Sequence, residues 1–213
     1  MGKVCVRGFG VSIDGFGAGP DQTLQHPFGT RGAEVMNWFF PTRAFRSMTG
    51  QDGGTDDRFA SAAMEGFGAF ILGRNMFGPA GDNWGGPGWK GWWGDNPPYH
   101  APTFILTHHA RAPIEMEGGT TFHFVTDGIE SALAQAKAAA GDLNVKIGGG
   151  VSTVRQYLLA GAIDEVHLAQ SHVVLGQGEH LFTGIDLPSL GYRVTETVPM
   201  ELATHIVLSR RPS

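Results

Sequence analysis

"NVKIGGGVSTVRQYLLAGAIDEVHLAQ", residues 144–170, joins a short apolar run, three consecutive glycines and an amphipathic segment. Val145–Ile147 reads as a strand. Residues 152–160 read as a helix, with Ser152 as N-cap, Val154, Tyr157 and Leu158 as the buried stripe and Gly161 as the stop. Between them, Gly148, Gly149 and Gly150 leave bare backbone for positive φ and close approach, while free helical N–H groups attract an anion such as pyrophosphate. A tight strand-to-helix turn without a ligand would use the same glycines, because the spacing is not GxGxxG.

Outward from this unit, apolar or β-branched runs recur at Val4–Phe9, Ala69–Leu72, Thr103–Thr107, Thr121–Val125, Glu165–Val174, Tyr192–Val198 and Ala203–Leu208, making about eight strands. Residues 127–140 predict a helix, with a capping box from Asp127 to Glu130, a face of Ile129, Leu133, Ala136 and Ala140, and Gly141 as the stop. Weaker helical patterns cover 32–40 and 56–65. Strands interleaved with helices specify an α/β, three-layer sandwich with a mostly parallel sheet covered on both faces. The last two strands, joined through Pro199-Met200, predict an antiparallel C-terminal hairpin. Residues 10–31, 41–55 and 78–102 lack this regularity, and the last carries four tryptophans among glycines and prolines. Loops this long are functional or disordered, and aromatic content favours function or assembly.

Composition narrows the function. One domain is expected from 213 residues with 41% hydrophobic content. A net charge of −5 opposes a nucleic-acid or anionic-membrane surface, so phosphate binding has to be local. A single cysteine, Cys5, rules out an internal disulfide and a cysteine-rich zinc site and fits a reducing cytoplasm. With no stretch of 18 apolar residues and no leader pattern, the chain reads as soluble and cytoplasmic. The sequence lacks GxSxG and a zinc-deaminase motif, so hydrolase and deaminase chemistry fit poorly.

Three further stretches carry candidate chemistry. "FILGRNMF", residues 70–77, ends a strand in Gly73-Arg74, where an arginine is placed to clamp phosphate oxygens; a solvated arginine is the plainer use. "TFILTHHAR", residues 103–111, ends in Thr107, His108, His109 and Arg111, a set suited to a phosphate monoester. Adjacent strand residues face opposite sides, so the two histidines do not readily share a metal, and no metal site is expected. "SIDG", residues 12–15, puts Asp14 after the first strand, and Glu34 lies in the first predicted helix. A turn and a solvated helix face are their simpler readings.

Taken together, "KIGGGVSTVRQYLLAGAIDEVHLAQSHVVLGQGEHLF", "SIDGF" and "ILGRNMF" resemble the dihydrofolate reductase superfamily, most closely the reductase domain of the bifunctional riboflavin-biosynthesis deaminase-reductase. The resemblance implies an eight-stranded sheet with NADPH across the strand ends and a homodimer. It assigns Gly148, Gly149, Gly150, Val151, Ser152 and Thr153 to the pyrophosphate and nicotinamide side. Gly73, Arg74 and Met76 take the phosphate-binding strand end, and Thr107, His108 and Arg111 the adenosine 2′-phosphate. A cis peptide is implied at Gly148-Gly149. Asp14, Glu34 or a bound water are the candidate proton donors. The implied activity is reduction of 5-amino-6-(5-phosphoribosylamino)uracil or a related small imine or carbonyl compound. Arg31, Arg43 and Arg46 are the loop cations available to a sugar phosphate. Alternatives are dihydrofolate reductase proper and a non-catalytic NADP(H)-binding protein of the same fold. These residues carry no deaminase half, His172 stands where relatives often have proline, and 78–102 is longer than in compact relatives.

Overall fold

The computed structural model describes residues 2–48, 58–79, 84, 86 and 88–211. Its strands are β1 (Val4–Val11), β2 (Phe16–Ala18), β3 (Phe67–Gly73), β4 (Pro102–Leu106), β5 (Ile114–Glu115), β6 (Thr121–Val125), β7 (Asn144–Gly149), β8 (Glu165–Ser171), β9 (Glu179–His180), β10 (Tyr192–Pro199) and β11 (Ala203–Arg210). The helices are α1 (Arg43–Met48), α2 (Arg58–Ala62), α3 (Arg74–Phe77), α4 (Gly128–Ala140) and α5 (Val151–Leu159). Nine strands form one sheet in the order β10-β11-β8-β1-β7-β3-β4-β6-β5, and β2 pairs with β9 apart from it. The six strands from β8 to β6 run parallel, and β5, β11 and β10 are antiparallel to their neighbours. The expected eight strands are all present. The extra main-sheet strand, β5, has two residues, too short for any period to register.

Side-chain alternation divides the sheet into two faces. Val4, Val6, Ala69, Ile71, Val145 and Ile147 form the main core with α4 and α5, whose Ala132, Ala136, Val154, Tyr157 and Leu158 are at or near zero exposure. Small alanines on α4 let that helix lie close to β3 and β4. On the other face, Trp38, Phe59 and Ala60 cover Ala169 and Ala203. A third cluster joins Leu72, Phe77, Ile105 and Phe122 to Trp84 and Trp89.

β1 carries an irregularity that its sequence makes necessary. Gly8 has φ 67°, and pairing with β8 shifts register between Val6 and Phe9. One inserted residue lets Phe9 and Val11 rejoin Val4 and Val6 on the core side, while Gly10 turns to the opposite face.

Several expected boundaries move. α5 begins at Val151 with Gly150 as its cap, so Ser152 lies inside the first turn and no side chain caps the helix. Asp127 precedes α4 but makes no side-chain cap bond, so no capping box forms. Residues 32–36 form a 3-10 turn rather than a helix to 40, and residues 58–62 form α2; the expected start at 56 lies outside the described residues. α1 occupies part of the stretch read as irregular. β8 stops at Ser171, before His172 turns to Glu201 and Thr204. The cis peptide is Gly149-Gly150, not Gly148-Gly149: β7 keeps its pairing to Leu72 through Gly149, so the chain leaves the sheet one residue later.

Candidate active site

The carboxyl ends of β1, β3, β4, β6 and β7 open onto one cavity of about 1010 Å³. In open α/β sheets this is where ligands bind. Leu72 and Gly73, Leu106 and Thr107, Val125 and Thr126, and Gly148 and Gly150 each bring a strand end to the wall. Val151, Ser152 and Thr153, the first turn of α5, complete that side.

Bare backbone is required here. A Cβ on Gly73 would stand 2.4 Å from Thr153 Oγ1 and 3.2 Å from the Gly150 nitrogen. The end of β3 therefore touches the start of α5, and any larger residue would push them apart. Without a side-chain cap, the first N–H groups of α5 face outward with the positive end of the helix dipole. The junction suits a diphosphate, and its glycines admit the close approach.

Of the residues singled out from sequence, the cavity wall brings together Gly73, Arg74, Met76, Thr107, His108, Gly148, Gly150, Val151, Ser152 and Thr153. Gly149, with φ 126°, lies behind them, next to Phe9 and Met76. Arg74 donates to the Pro79 carbonyl and stacks on Trp84 at 4.8 Å. Arg111 is elsewhere. Its guanidinium packs against Phe77, Trp84 and Phe124 and donates to the Trp89 carbonyl at 2.6 Å, so it braces the tryptophan segment instead of the cavity wall. The Thr-His-His-Arg stretch leaves the sheet at Leu106, which is why strand alternation does not predict where Arg111 goes.

Neither carboxyl among the candidate proton donors lines the cavity. Asp14 accepts hydrogen bonds from Ser12 Oγ at 2.6 Å and from the Leu175 and Gly176 amides at 3.1 and 2.7 Å. Burial acts to raise its carboxyl, but these bonds outweigh it and bring it to about 2, leaving a carboxylate that ties the loop after β8 to the end of β1. Glu34 is gripped by Arg31 through two bonds of 2.8 and 2.9 Å, which hold its carboxyl below the usual range. Arg31 is thereby occupied too.

Sequence reading missed other wall residues. Lys146, 8% exposed, points from β7 to the cavity side and donates to the Ala63 carbonyl at 2.6 Å. Burial, and secondarily Arg7, bring its ammonium down to about 8. Glu179 is the carboxylate on the wall among the described residues, and it accepts from Gln22 at 3.0 Å. The tryptophan segment splits in two. Trp84 and Trp89 pack over the sheet, whereas Trp92 and Trp93 line the cavity.

Residues 5–208 match the family model described as the RibD C-terminal domain. The chain belongs to that family. Among solved structures, a putative riboflavin biosynthesis protein from Shewanella sp. PV-4 covers the whole of both chains at 19% identity and TM-score 0.61. A diaminohydroxyphosphoribosylaminopyrimidine deaminase/5-amino-6-(5-phosphoribosylamino)uracil reductase from Thermotoga maritima aligns with 99% of this chain and 57% of its own, at 14% identity and TM-score 0.56. A comparison with curated proteins finds no match.

As a RibD C-terminal domain, the chain has the dihydrofolate reductase-like architecture that its glycine triplet and strand-ending motifs implied, and it falls in a reductase family. Among the described residues, no helix of this RibD-type domain is long and apolar enough to cross a membrane.

Proposed function

We propose that this RibD-type domain is an NADPH-dependent reductase acting on a carbonyl or imine carbon of a small, ring-bearing substrate. The observation that carries the reading is the uncapped start of α5 meeting Gly73, Gly148 and Gly150 at the strand ends. Gly150 to Thr153 would hold the diphosphate, with Gly73 and Arg74 across from them. Thr107 and His108, at the end of β4, would meet the 2′-phosphate that separates NADPH from NADH. The cofactor, when bound, supplies a hydride; the chain supplies position and a water-poor wall.

The Thermotoga maritima protein, named as a 5-amino-6-(5-phosphoribosylamino)uracil reductase, supports the reaction class. Dihydrofolate itself is less favoured, because the carboxylate required on the first helical segment, Glu34, is outside the cavity and paired with Arg31. The reading includes a homodimer, weighed by light scattering against the chain mass of 22.7 kDa.

Titration with NADPH and, separately, NADH, followed by quenching of the five tryptophans, tests the cofactor site. NADPH is expected to bind about a hundredfold more tightly, equivalent to roughly 2.7 kcal/mol. Equal affinities remove the 2′-phosphate assignment, and no binding of either removes the reductase reading.

A further inference from the structure

Away from the α5 junction, the cavity wall changes character. Trp38, Phe39, Phe45, Phe70, Trp92 and Tyr99 all line it. Trp38 packs on Phe39 at 5.4 Å, Phe39 on Phe45 at 5.4 Å and Phe70 on Tyr99 at 5.2 Å. Lys146 sits among them. Phe70 is its register partner on β3, and its Nζ bonds Ala63, whose Cβ lies 3.0 Å from where a side chain on Gly8 would begin. Trp38 packs beside that same glycine.

The charge pattern is equally informative. Apart from Arg74 and His108, given above to the cofactor, the cationic or imidazole side chains on the wall among the described residues are Arg7, His109 and Lys146. Arg7 is neutralised by Glu165, while Lys146 has no carboxylate partner among the described residues. Arg31, Arg43 and Arg46 are not on the wall. Residues 49–57, 80–83, 85 and 87 contain no lysine, arginine or histidine, so they bring no cation of their own. A sugar phosphate would find no arginine clamp here, whereas a flat ring would find aromatic faces on several sides.

Resting on the reductase reading, we infer that this region takes a flat, phosphate-free aromatic carbonyl compound, and that Lys146 Nζ meets its oxygen and supplies the proton of the reduction. The carbonyl carbon gains a hydride from the reduced nicotinamide, and the C=O π pair moves to oxygen. One Lys146 N–H bond breaks as the O–H bond forms. The products are an alcohol, the oxidised nicotinamide and a neutral amine that water reprotonates.

The groups facing Lys146 fit this role. From β1 come Arg7 and the buried Cys5 thiol, from β8 Glu165 and His167, from the turn after α2 Ala63 and Met64, and from β3 Phe67 and Phe70. Arg7 does not give up a proton, and neither Cys5 nor His167 is on the wall. With an ammonium brought to about 8, Lys146 is charged at neutral pH and able to release a proton. Trp38 adds ring surface to this wall, its Nε1 buried without an acceptor.

The test needs no cofactor at first. 2-Naphthol, whose oxygen becomes an oxyanion, is titrated with pH on excess protein and followed by its near-ultraviolet naphtholate band. On the wild type the band is expected at least about one pH unit lower than in free solution. Lys146→Met abolishes the lowering, and Lys146→Gln, checked by circular dichroism, repeats the result should the first variant misfold. Trp38→Phe weakens binding a few-fold and keeps the lowering. With 9,10-phenanthrenequinone and NADPH, wild-type rate falls above about pH 8, and Lys146→Met loses about a hundredfold in kcat together with that pH limb, while quenching by NADPH stays the same.

Naphthol that fails to bind, or that ionises as in water, overturns the inference; so does a lowering that persists in Lys146→Met. A slowed variant with an unmoved pH profile makes Lys146 a tether for Ala63 and overturns the catalytic role. Faster turnover of 5-amino-6-(5-phosphoribosylamino)uracil than of aromatic carbonyls overturns the substrate class. A naphthol response without any NADPH quenching keeps the oxyanion site and discards the reductase reading, so the two failures are distinguishable.

Discussion

Gly73 concentrates the dinucleotide argument in one missing methyl group. Its backbone is an ordinary extended one, φ −68° and ψ 155°, so alanine is tolerated by the dihedrals. The obstacle is Thr153 Oγ1, 2.4 Å from the added carbon, with the Gly150 amide close behind. Gly73→Ala is expected to keep the fold and to weaken NADPH binding about tenfold, roughly 1.4 kcal/mol, as α5 shifts away from β3. Quenching titrations on the variant and on wild type check this, with unchanged far-ultraviolet circular dichroism as the control. At this scale the sequence was legible where a motif ended a strand. Gly73 is followed at once by α3, and Gly149, the last residue of β7, by the Gly150 cap of α5. Lys146 was overlooked although its signal was available: Val145 and Ile147 face α4 and α5, so period-two alternation puts Lys146 on the opposite, covered face. A lysine inside a strand of a two-sided sheet is buried, and that anomaly marks a site. Asp14 and Glu34 were placed by type and neighbourhood alone; their hydrogen-bond partners, Ser12, Leu175 and Gly176 for the first and Arg31 for the second, decide their chemistry, and Leu175 and Gly176 are remote in sequence.

Between elements, β8 and β11 are joined by more than their ladder. His167 Nε2 and His205 Nδ1 lie 2.9 Å apart, stacked on Phe59, and His167 Nδ1 accepts from the Gly8 amide at 3.0 Å. Burial first, then His205, Arg7 and Lys146, pull His167 down to about 3. The unfolded chain protonates this imidazole near pH 6.5, a proton that the folded chain resists until about 3. Between those values the unfolded state binds more protons, so stability is full above about pH 6.5 and declines as pH falls. The expected slope from this residue is roughly 1.4 kcal/mol per pH unit in the lower part of the window. Denaturant unfolding between pH 4.5 and 8 measures it, and His167→Asn, less stable throughout, is expected to flatten the slope. Periodicity identified the long elements, α4 and α5, because their buried faces repeat over several turns. It failed on α3, β2, β5 and β9, each of two to four residues, whose formation depends on partners distant in the chain.

For the whole molecule, the cavity is made by pieces that have no reason to meet except the topology. The order β8-β1-β7-β3-β4-β6 brings residues from five strand ends to one rim, and a ligand spanning that rim links the two halves of the sheet. NADPH at a hundred times its Kd is expected to stabilise the fold by about 2.7 kcal/mol. For a domain of this size that is an increase in Tm of roughly 5 to 10 °C, read by differential scanning calorimetry. NADH at the same concentration should give a distinctly smaller shift. Fold class was legible at this scale because helix-strand alternation determines layers. The extent of the aromatic wall was not, since Trp38, Phe70 and Trp92 come from three separate regions brought together by the folded chain.

The extra residue at Gly8 makes the first strand a device for counting. Before it, odd positions such as Cys5 and Arg7 lie on the face of the sheet opposite α4 and α5; after it, odd positions such as Phe9 and Val11 pack toward the core. Were the same eight residues to run as a flat strand without the bulge, plain alternation would turn Phe9 and Val11 toward the cavity side and Gly10 toward the core, leaving a hole there. Conformation in this strand is therefore as constrained as length: removing Gly8 alone leaves Phe9 and Val11 on the core side, while a residue there that refuses φ 67° and flattens the bulge changes which side of the sheet every later residue belongs to.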